Sequence, residues 1–276
     1  MPELPEVEIV VRCLDRLIKG RTVQTAELRR KLLAPNFSKR SFAAKLKSSL
    51  VNFVHRRGKH ILFDLDTGRT LIAHLRMSGR FMILSADEAD PKFTHAVFYL
   101  DGDERLVFQD QRHFGFMNIV DTGKLFETKE LACLAPEPFS DEFSVDYFRD
   151  LLRASKRNIK QLLLDQTKVC GVGNIYASEA MFIARVNPLR IAGDISGKKK
   201  IALHSAIREV MNETLLLGKN IRLDRQNIGG GIYGSNVESE WRIYGREGEP
   251  CPFCSKPIAR IVQGTRSTFL CSKCQR

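Results

Sequence analysis

Four cysteines carry the most specific chemical signal in this chain. Cys251-x-x-Cys254 and Cys271-x-x-Cys274 are separated by sixteen residues. Each pair fits a short turn that aims two sulfurs at one point, which is the spacing of a four-thiolate tetrahedral zinc site. Such a site leaves no open coordination position, so the zinc is expected to hold the fold and to do no chemistry. The alternative is two incidental or redox-active pairs. Seven cysteines in a chain without an export signal argue against a disulfide framework. Cys13, Cys133 and Cys170 stand in apolar surroundings and read as buried hydrophobes. A second signal is VCGVGNIYASE, where Gly171 and Gly173 free the backbone and Asn174 opens a helix as its N-cap. Unpaired N–H groups and the helix dipole suit such a turn to a phosphate. An ordinary tight turn between two helices is the competing reading.

Charge bears on that choice. The 276 residues hold 44 Lys+Arg against 32 Asp+Glu, a net +12, and a polyanion such as nucleic acid gains counterion-release entropy from such a surface. A soluble basic enzyme is the competing reading on charge alone. With 43% apolar residues, 10 Pro and 19 Gly, the chain can bury a core, which excludes disordered and collagen-like classes. No run approaches the roughly 18 to 20 apolar residues of a membrane helix, and MPELPEVEIVV is acidic where a secretory signal is basic. A soluble, cytoplasmic protein of two domains is expected.

The elements that must position these residues change character along the chain. Residues 6 to 19 show helical spacing, with Pro5 suited to the first helical position and Gly20 as the stop. From there to about residue 120, short runs such as SLVNFVH, HILFDL, TLIAHL, HAVFYL, RLVFQD and FMNIV predict a β-sandwich or barrel of about eight strands. The Pro-rich LAPEPFSDEF reads as a linker. Helical pattern follows over about 144–153, 157–166, 174–185 and 197–217. Residues 218 to 239, with Gly229-Gly230-Gly231 at their centre, lack periodicity and join the helices to the cysteine module. The expected class is α+β multidomain, with working limits 1–132, 133–240 and 241–276.

MPELPEVE, HLRMSGRF at 74–81, DQRHFG at 110–115, APEP at 135–138, CGVGNIYASE at 170–179 and IYGREGEPC with the final cysteines follow one another in order. Taken together they resemble the bacterial formamidopyrimidine-DNA glycosylases over the whole length. The resemblance implies an N-terminal β-sandwich with an opening helix, a helix–two-turn–helix domain and a zinc ribbon, with double-stranded DNA held in a cleft between domains. It further implies excision of 8-oxoguanine and formamidopyrimidines opposite cytosine, cleavage of the abasic strand, one structural zinc on Cys251, Cys254, Cys271 and Cys274, and a monomer.

Within that resemblance the nucleophile is Pro2 after loss of Met1. An α-amino group has a reference pKa of roughly 7.7 to 8.0, against about 10.4 for lysine, so far more of it can attack at neutral pH. Glu3 matches the family's general acid/base and Glu6 a supporting residue. Lys59 matches a lysine that contacts phosphate and assists catalysis; a solvated edge-strand lysine is the plainer reading. Arg266 matches the arginine set beside the lesion phosphate. His74, Asn174 and Tyr244 match further phosphate contacts, and Lys160 a recurrent lysine on the DNA-binding side. Met77, Arg112 and Phe114 match the triad that fills the gap left by the extruded nucleotide, the arginine meeting the orphaned base; plain core packing is the alternative for Met77 and Phe114. Two departures stand out: Phe93 occupies a usual histidine position, and the 218–239 text differs from that of relatives. The competing functions are a lesion-binding protein without excision and an oxidised-pyrimidine glycosylase of the endonuclease VIII type.

Overall fold

A computed structural model describes residues 1–218, 225–226, 228 and 241–276. It contains two compact units, one of Met1–Ala132 with Leu217–Ser235 and one of Cys133–Leu216 with Asn236–Arg276.

The first unit opens with α1 (Leu4–Ile18), which begins two residues earlier than its apolar spacing suggests. The reason is a capping box: Glu3 is the N-cap, and its N–H donates to Glu6 Oε2 at 2.8 Å. Pro5 therefore falls in the second helical position. Val7, Val10, Leu14 and Ile18 form the buried stripe. Eight antiparallel strands follow among the described residues: β1 (Thr22–Leu28), β2 (Ser49–Arg57), β3 (His60–Leu65), β4 (Arg69–His74), β5 (Gly79–Ser85), β6 (Thr94–Leu100), β7 (Glu104–Asp110) and β8 (Phe116–Asp121). Their order is β5-β7-β6-β1-β2-β3-β4-β8. Strands β1 and β2 pair through only Thr22↔Leu50 and Val23↔Ser49, so the sheet turns there into two four-stranded halves. The halves face each other, with Phe63 of β3 at 5.5 Å from Phe81 of β5 and Phe81 at 5.1 Å from Phe108 of β7. This is the expected sandwich.

A short α2 (Lys39–Leu46), capped by Ser38 Oγ accepting the Ser41 N–H at 3.1 Å, escaped the pattern because only Phe42 and Leu46 are buried. Asp15 Oδ1 accepts the Val54 N–H at 2.9 Å, and Glu8 pairs with Arg56 at 2.6 Å, fastening α1 to β2. The outer edge of β5 is covered: Ile83 N–H donates to Arg225 O at 2.7 Å and Phe81 N–H to Ile228 O at 3.3 Å, while Arg225 pairs with Glu104. These contacts group the segment with the β-rich unit, whereas the sequence reading attached 218–239 to the helices. The Gly229-Gly230-Gly231 triplet lies outside the described residues.

The second unit packs α3 (Val145–Arg153), α4 (Ile159–Leu163), α5 (Asn174–Ile183) and α6 (Gly197–Gly218). Phe143 stacks on His204 at 4.9 Å, and a His204 ring nitrogen meets the Phe143 carbonyl at 2.8 Å. The N-cap of α5 is Gly173, not Asn174, which is the first helical residue. The cysteine module carries one antiparallel hairpin, β9 (Ala259–Gln263) and β10 (Arg266–Leu270). Its small core of Ile243, Ile258 and Phe269 is completed by Phe182 of α5. Of the three isolated cysteines only Cys170 is buried; Cys13 is half-buried and Cys133 exposed, because Cys133 sits in the connecting segment, not in an apolar layer. Among the described residues no helix is long and apolar enough to cross a membrane.

Candidate active site and nucleic-acid interface

At the head of α1, the capping box does more than start a helix. It holds Glu3 and Glu6 3% and 1% exposed, directly after a buried Pro2. Charged residues are almost never so buried unless something holds them. The α-amino group of Met1 feels four of the sequence-selected residues. Burial is the main cause that lowers its pKa from the ordinary value; Glu3 and Glu6 act upward, Lys59 and Arg112 downward. Residues from α1, the β2–β3 turn and the loop after β7 thus converge on the chain terminus. The net effect favours the unprotonated form of the Met1 amine. Lys59 is 6% exposed on a turn between two interior strands, which excludes the solvated edge-strand reading.

His74 ends β4 beside this corner. The Arg76 N–H donates to its Nδ1 at 2.9 Å, which puts the ring hydrogen on Nε2. Burial holds its pKa well below the usual histidine value, with His60 and Arg76 adding to the effect. The His60 ring lies 4.8 Å away, edge to face, and burial likewise lowers His60 to about 4. Both rings are neutral at pH 7, so His74 can offer a phosphate a hydrogen bond without a charge.

Two loops project apolar tips. Met77 is 47% and Phe114 56% exposed, which excludes core packing for both. Arg112 is also exposed, its guanidinium 5.5 Å from the centre of the Phe114 ring. The residue before Met77 and the one before Phe114 have left-handed backbone, Arg76 at φ 53° and His113 at φ 63°. Beside them His113 Nδ1 shares a hydrogen with His95 Nε2 at 2.8 Å, and Phe93 meets the His113 ring edge-on at 5.6 Å. Sequence reasoning marked Phe93 as a departure and missed His113, which carries no signal except its place between Arg112 and Phe114. Arg56, one of the cations behind the net positive charge, has a side chain only 12% exposed and paired with Glu8.

In the second unit the selected residues gather under the cysteine hairpin. Lys160 Nζ donates to Ser267 O at 2.8 Å and to Thr268 Oγ1, and Asn174 Nδ2 donates to the same Ser267 O at 3.1 Å and to Tyr244 Oη at 3.5 Å. These bonds pin the strand start that carries the exposed Arg266. Lys160 is 1% exposed, with its ammonium beneath the hairpin. Glu179, the last residue of the CGVGNIYASE motif, was not singled out. Its carboxylate accepts the N–H groups of Arg242, Ile243 and Tyr244 at 2.8–2.9 Å, aligning Tyr244; burial pushes its pKa up against the pull of those N–H groups. The four Sγ atoms of Cys251, Cys254, Cys271 and Cys274 lie within 4.8 Å of one another, with Cys254–Cys271 at 3.5 Å and Cys251–Cys274 at 3.9 Å. A tetrahedron with Zn–S of about 2.3 Å has sulfurs just under about 4 Å apart, so the donor set fits one structural zinc.

Residues 1–117 match the formamidopyrimidine-DNA glycosylase N-terminal domain, 134–225 its H2TH domain, and 248–276 a zinc finger found in that enzyme and in isoleucyl-tRNA synthetase. The formamidopyrimidine-DNA glycosylase of Desulforamulus reducens is 38% identical over 286 residues, covering 100% of this chain and 99% of its own. That of Bacillus subtilis is 38% identical over 280 residues, with 100% and 99% covered. Among solved structures, the Lactococcus lactis enzyme bound to abasic-site DNA superposes with a TM-score of 0.91 at 30% identity, covering 99% of each chain. A MutM complex with DNA containing carbocyclic 8-oxoguanine gives 0.90 at 31% identity, covering 100% of each. Sandwich, helical unit and four-thiolate hairpin occur here in one chain and in the same order, and the chain belongs to the formamidopyrimidine-DNA glycosylase family.

Proposed function

We infer that this protein is a DNA repair enzyme that excises oxidised purines and then cleaves the abasic strand, with Pro2 as nucleophile once Met1 is removed. The observation that carries this reading is the corner at the head of α1, where a buried Pro2 is followed directly by the buried carboxylates Glu3 and Glu6 and Lys59 is buried as well. The Pro2 nitrogen lone pair forms a bond to the sugar C1′, the C1′–base bond breaks, and the base leaves with a proton. Opening of the ring C1′–O4′ bond, with Glu3 giving O4′ its proton, turns the adduct into an iminium. The iminium is an electron sink: loss of a C2′ proton expels the 3′ phosphate, and a second elimination expels the 5′ phosphate. Lys59 and Arg266 engage phosphates flanking the lesion, with His74, Asn174 and Tyr244 as further backbone contacts and Lys160 acting through the hairpin.

Extrusion of the nucleotide costs a few kcal/mol of stacking and pairing. Met77 and Phe114 fill the gap, and Arg112 hydrogen-bonds the orphaned base, giving a preference for cytosine opposite the lesion. The base itself is read by backbone N–H groups of the 218–239 segment. The enzyme acts as a monomer in the cytoplasm, where its DNA is.

Borohydride trapping on an 8-oxoguanine duplex tests this directly. A covalent adduct is expected with the native chain and a weaker one with Pro2→Gly, which keeps an amine. With Met1 retained the Pro2 nitrogen is an amide, so excision and trapping vanish while duplex binding persists. Full activity in protein whose intact mass shows Met1 uniformly retained overturns the proline assignment. A lesion binder gives no adduct, and an endonuclease VIII-type enzyme prefers an oxidised pyrimidine.

A further inference from the structure

One buried carboxylate joins the two exposed loops. Asp110, the last residue of β7, is fully buried. Its Oδ1 accepts the hydroxyl of Ser78, from the loop that carries Met77, and the N–H of Arg112 at 3.2 Å. Its Oδ2 accepts the N–H of Gly115 at 2.6 Å. Ser78 Oγ in turn accepts the Arg112 N–H at 3.0 Å, closing a ring of hydrogen bonds across 32 to 34 positions of sequence. A carboxylate accepting several donors is a stronger tether than a neutral pair.

The backbone is fitted to the same point. Gly79 and Gly115 flank the two loops, and a Cβ on either would lie 2.9 Å or 2.8 Å from the Phe108 ring. Both loops therefore lie flat on one aromatic ring and hang from one carboxylate. The side chains of Met77 and Phe114 themselves stand in solvent, Phe114 against the Arg112 guanidinium of its own loop. Their spacing is set from below.

We propose that Asp110 is a positioning residue that sets the distance between Met77 and the Arg112–Phe114 pair, so that wedge and arginine enter a duplex as one rigid unit. This rests on the gap-filling role given to those three side chains above. A rigid wedge matters because extrusion and orphan-base recognition occur together: if one loop drifts, the gap is filled but Arg112 misses the opposite base. Misplacement of about 1 Å at such a site costs on the order of 100-fold in rate.

The test uses the full chain with zinc, comparing Asp110→Asn and Ser78→Ala with native protein. Asp110→Asn keeps the shape but places an amide donor against existing donors; Ser78→Ala removes only the link between the loops. Single-turnover excision of 8-oxoguanine opposite cytosine should fall on the order of 10- to 100-fold in Asp110→Asn and less in Ser78→Ala. The preference for cytosine over adenine opposite the lesion should fall in both. Borohydride trapping on a preformed abasic site should fall much less than excision does. Unchanged excision and opposite-base preference overturn the proposal, as does a parallel loss of excision and abasic trapping, which marks a merely structural carboxylate. Met77→Ala and Phe114→Ala separate the premises: if these excise normally the gap-filling reading fails, and if they are impaired while Asp110→Asn is native-like, only the positioning role of Asp110 fails.

Discussion

The terminal corner of the first unit and the Arg266 hairpin of the second hold functional groups by opposite means. Around Pro2, the charged residues Glu3, Glu6 and Lys59 are buried in a packed sandwich and helix, with a capping box and turns between interior strands fixing them. Many apolar contacts share that task. The hairpin has no such reserve: a core of Ile243, Ile258 and Phe269, completed by Phe182, is too small to stand alone, so four thiolates and the tethers from Lys160 and Asn174 hold it. The difference teaches that the chemistry should respond gradually to changes in packing, while phosphate grip should fail abruptly when one tether or the metal goes.

The sharpest way to break that comparison is the metal. Zinc-site formation in small modules is worth roughly 10 to 16 kcal/mol, so chelation or Cys251→Ser should unfold the hairpin and abolish affinity for an abasic-analogue duplex. Thermal unfolding of the β-rich unit should be unchanged. Native affinity in metal-free protein would show that Arg266 is held without the metal.

A smaller effect is expected from Lys160→Met, which removes a buried ammonium and two hydrogen bonds to the hairpin. Hydrogen bonds to charged groups contribute about 1.5 to 3 kcal/mol, so duplex affinity should fall about 10- to 100-fold with zinc still bound. Binding measured alongside zinc content by metal analysis checks this. A native affinity would mean that Asn174 alone suffices as tether.

The smallest effect lies in the first unit. His60 has its pKa lowered to about 4 by burial, so the unfolded chain binds a proton there that the folded chain refuses. Its contribution to stability is full above about pH 6.5 and is lost as pH falls from there toward 4, at up to one proton, or about 1.4 kcal/mol per pH unit. Between pH 7 and 5.5 the loss from this residue comes to about 1 kcal/mol. His60→Gln should flatten the pH dependence of denaturant unfolding by that amount; an unchanged slope would place the proton-linked cost elsewhere, for instance on His74, whose pKa is lowered too.

Legibility followed the distance between interacting residues. The sandwich strands and the main helices were readable because their signals are periodic over five to twenty neighbours; α2 was not, since Phe42 and Leu46 are its only buried residues. The helix start at Leu4 was misread by two residues because a carboxylate pair, Glu3 and Glu6, outweighed the apolar spacing. Ile228 and Arg225, which cover the edge of β5, could not be assigned to the β-rich unit from a stretch without period.

What the sequence determined by itself is local chemistry: the thiolate pairs with two residues between them, the Pro-Glu start, the glycine turn before α5, and the surplus of cations that suits a polyanion. These depend on residue type and short spacing, which folding does not alter. Only the tertiary structure decided which charges are spent and which face outward. Arg56 pairs with Glu8 across 48 positions, Lys160 is buried under Ser267 across 107, and Asp110 binds Ser78 across 32. The physical reason is that burial and pairing are properties of neighbours in space: a lysine on a polar turn and a lysine under a hairpin have the same letter, and only the packed chain removes one of them from water.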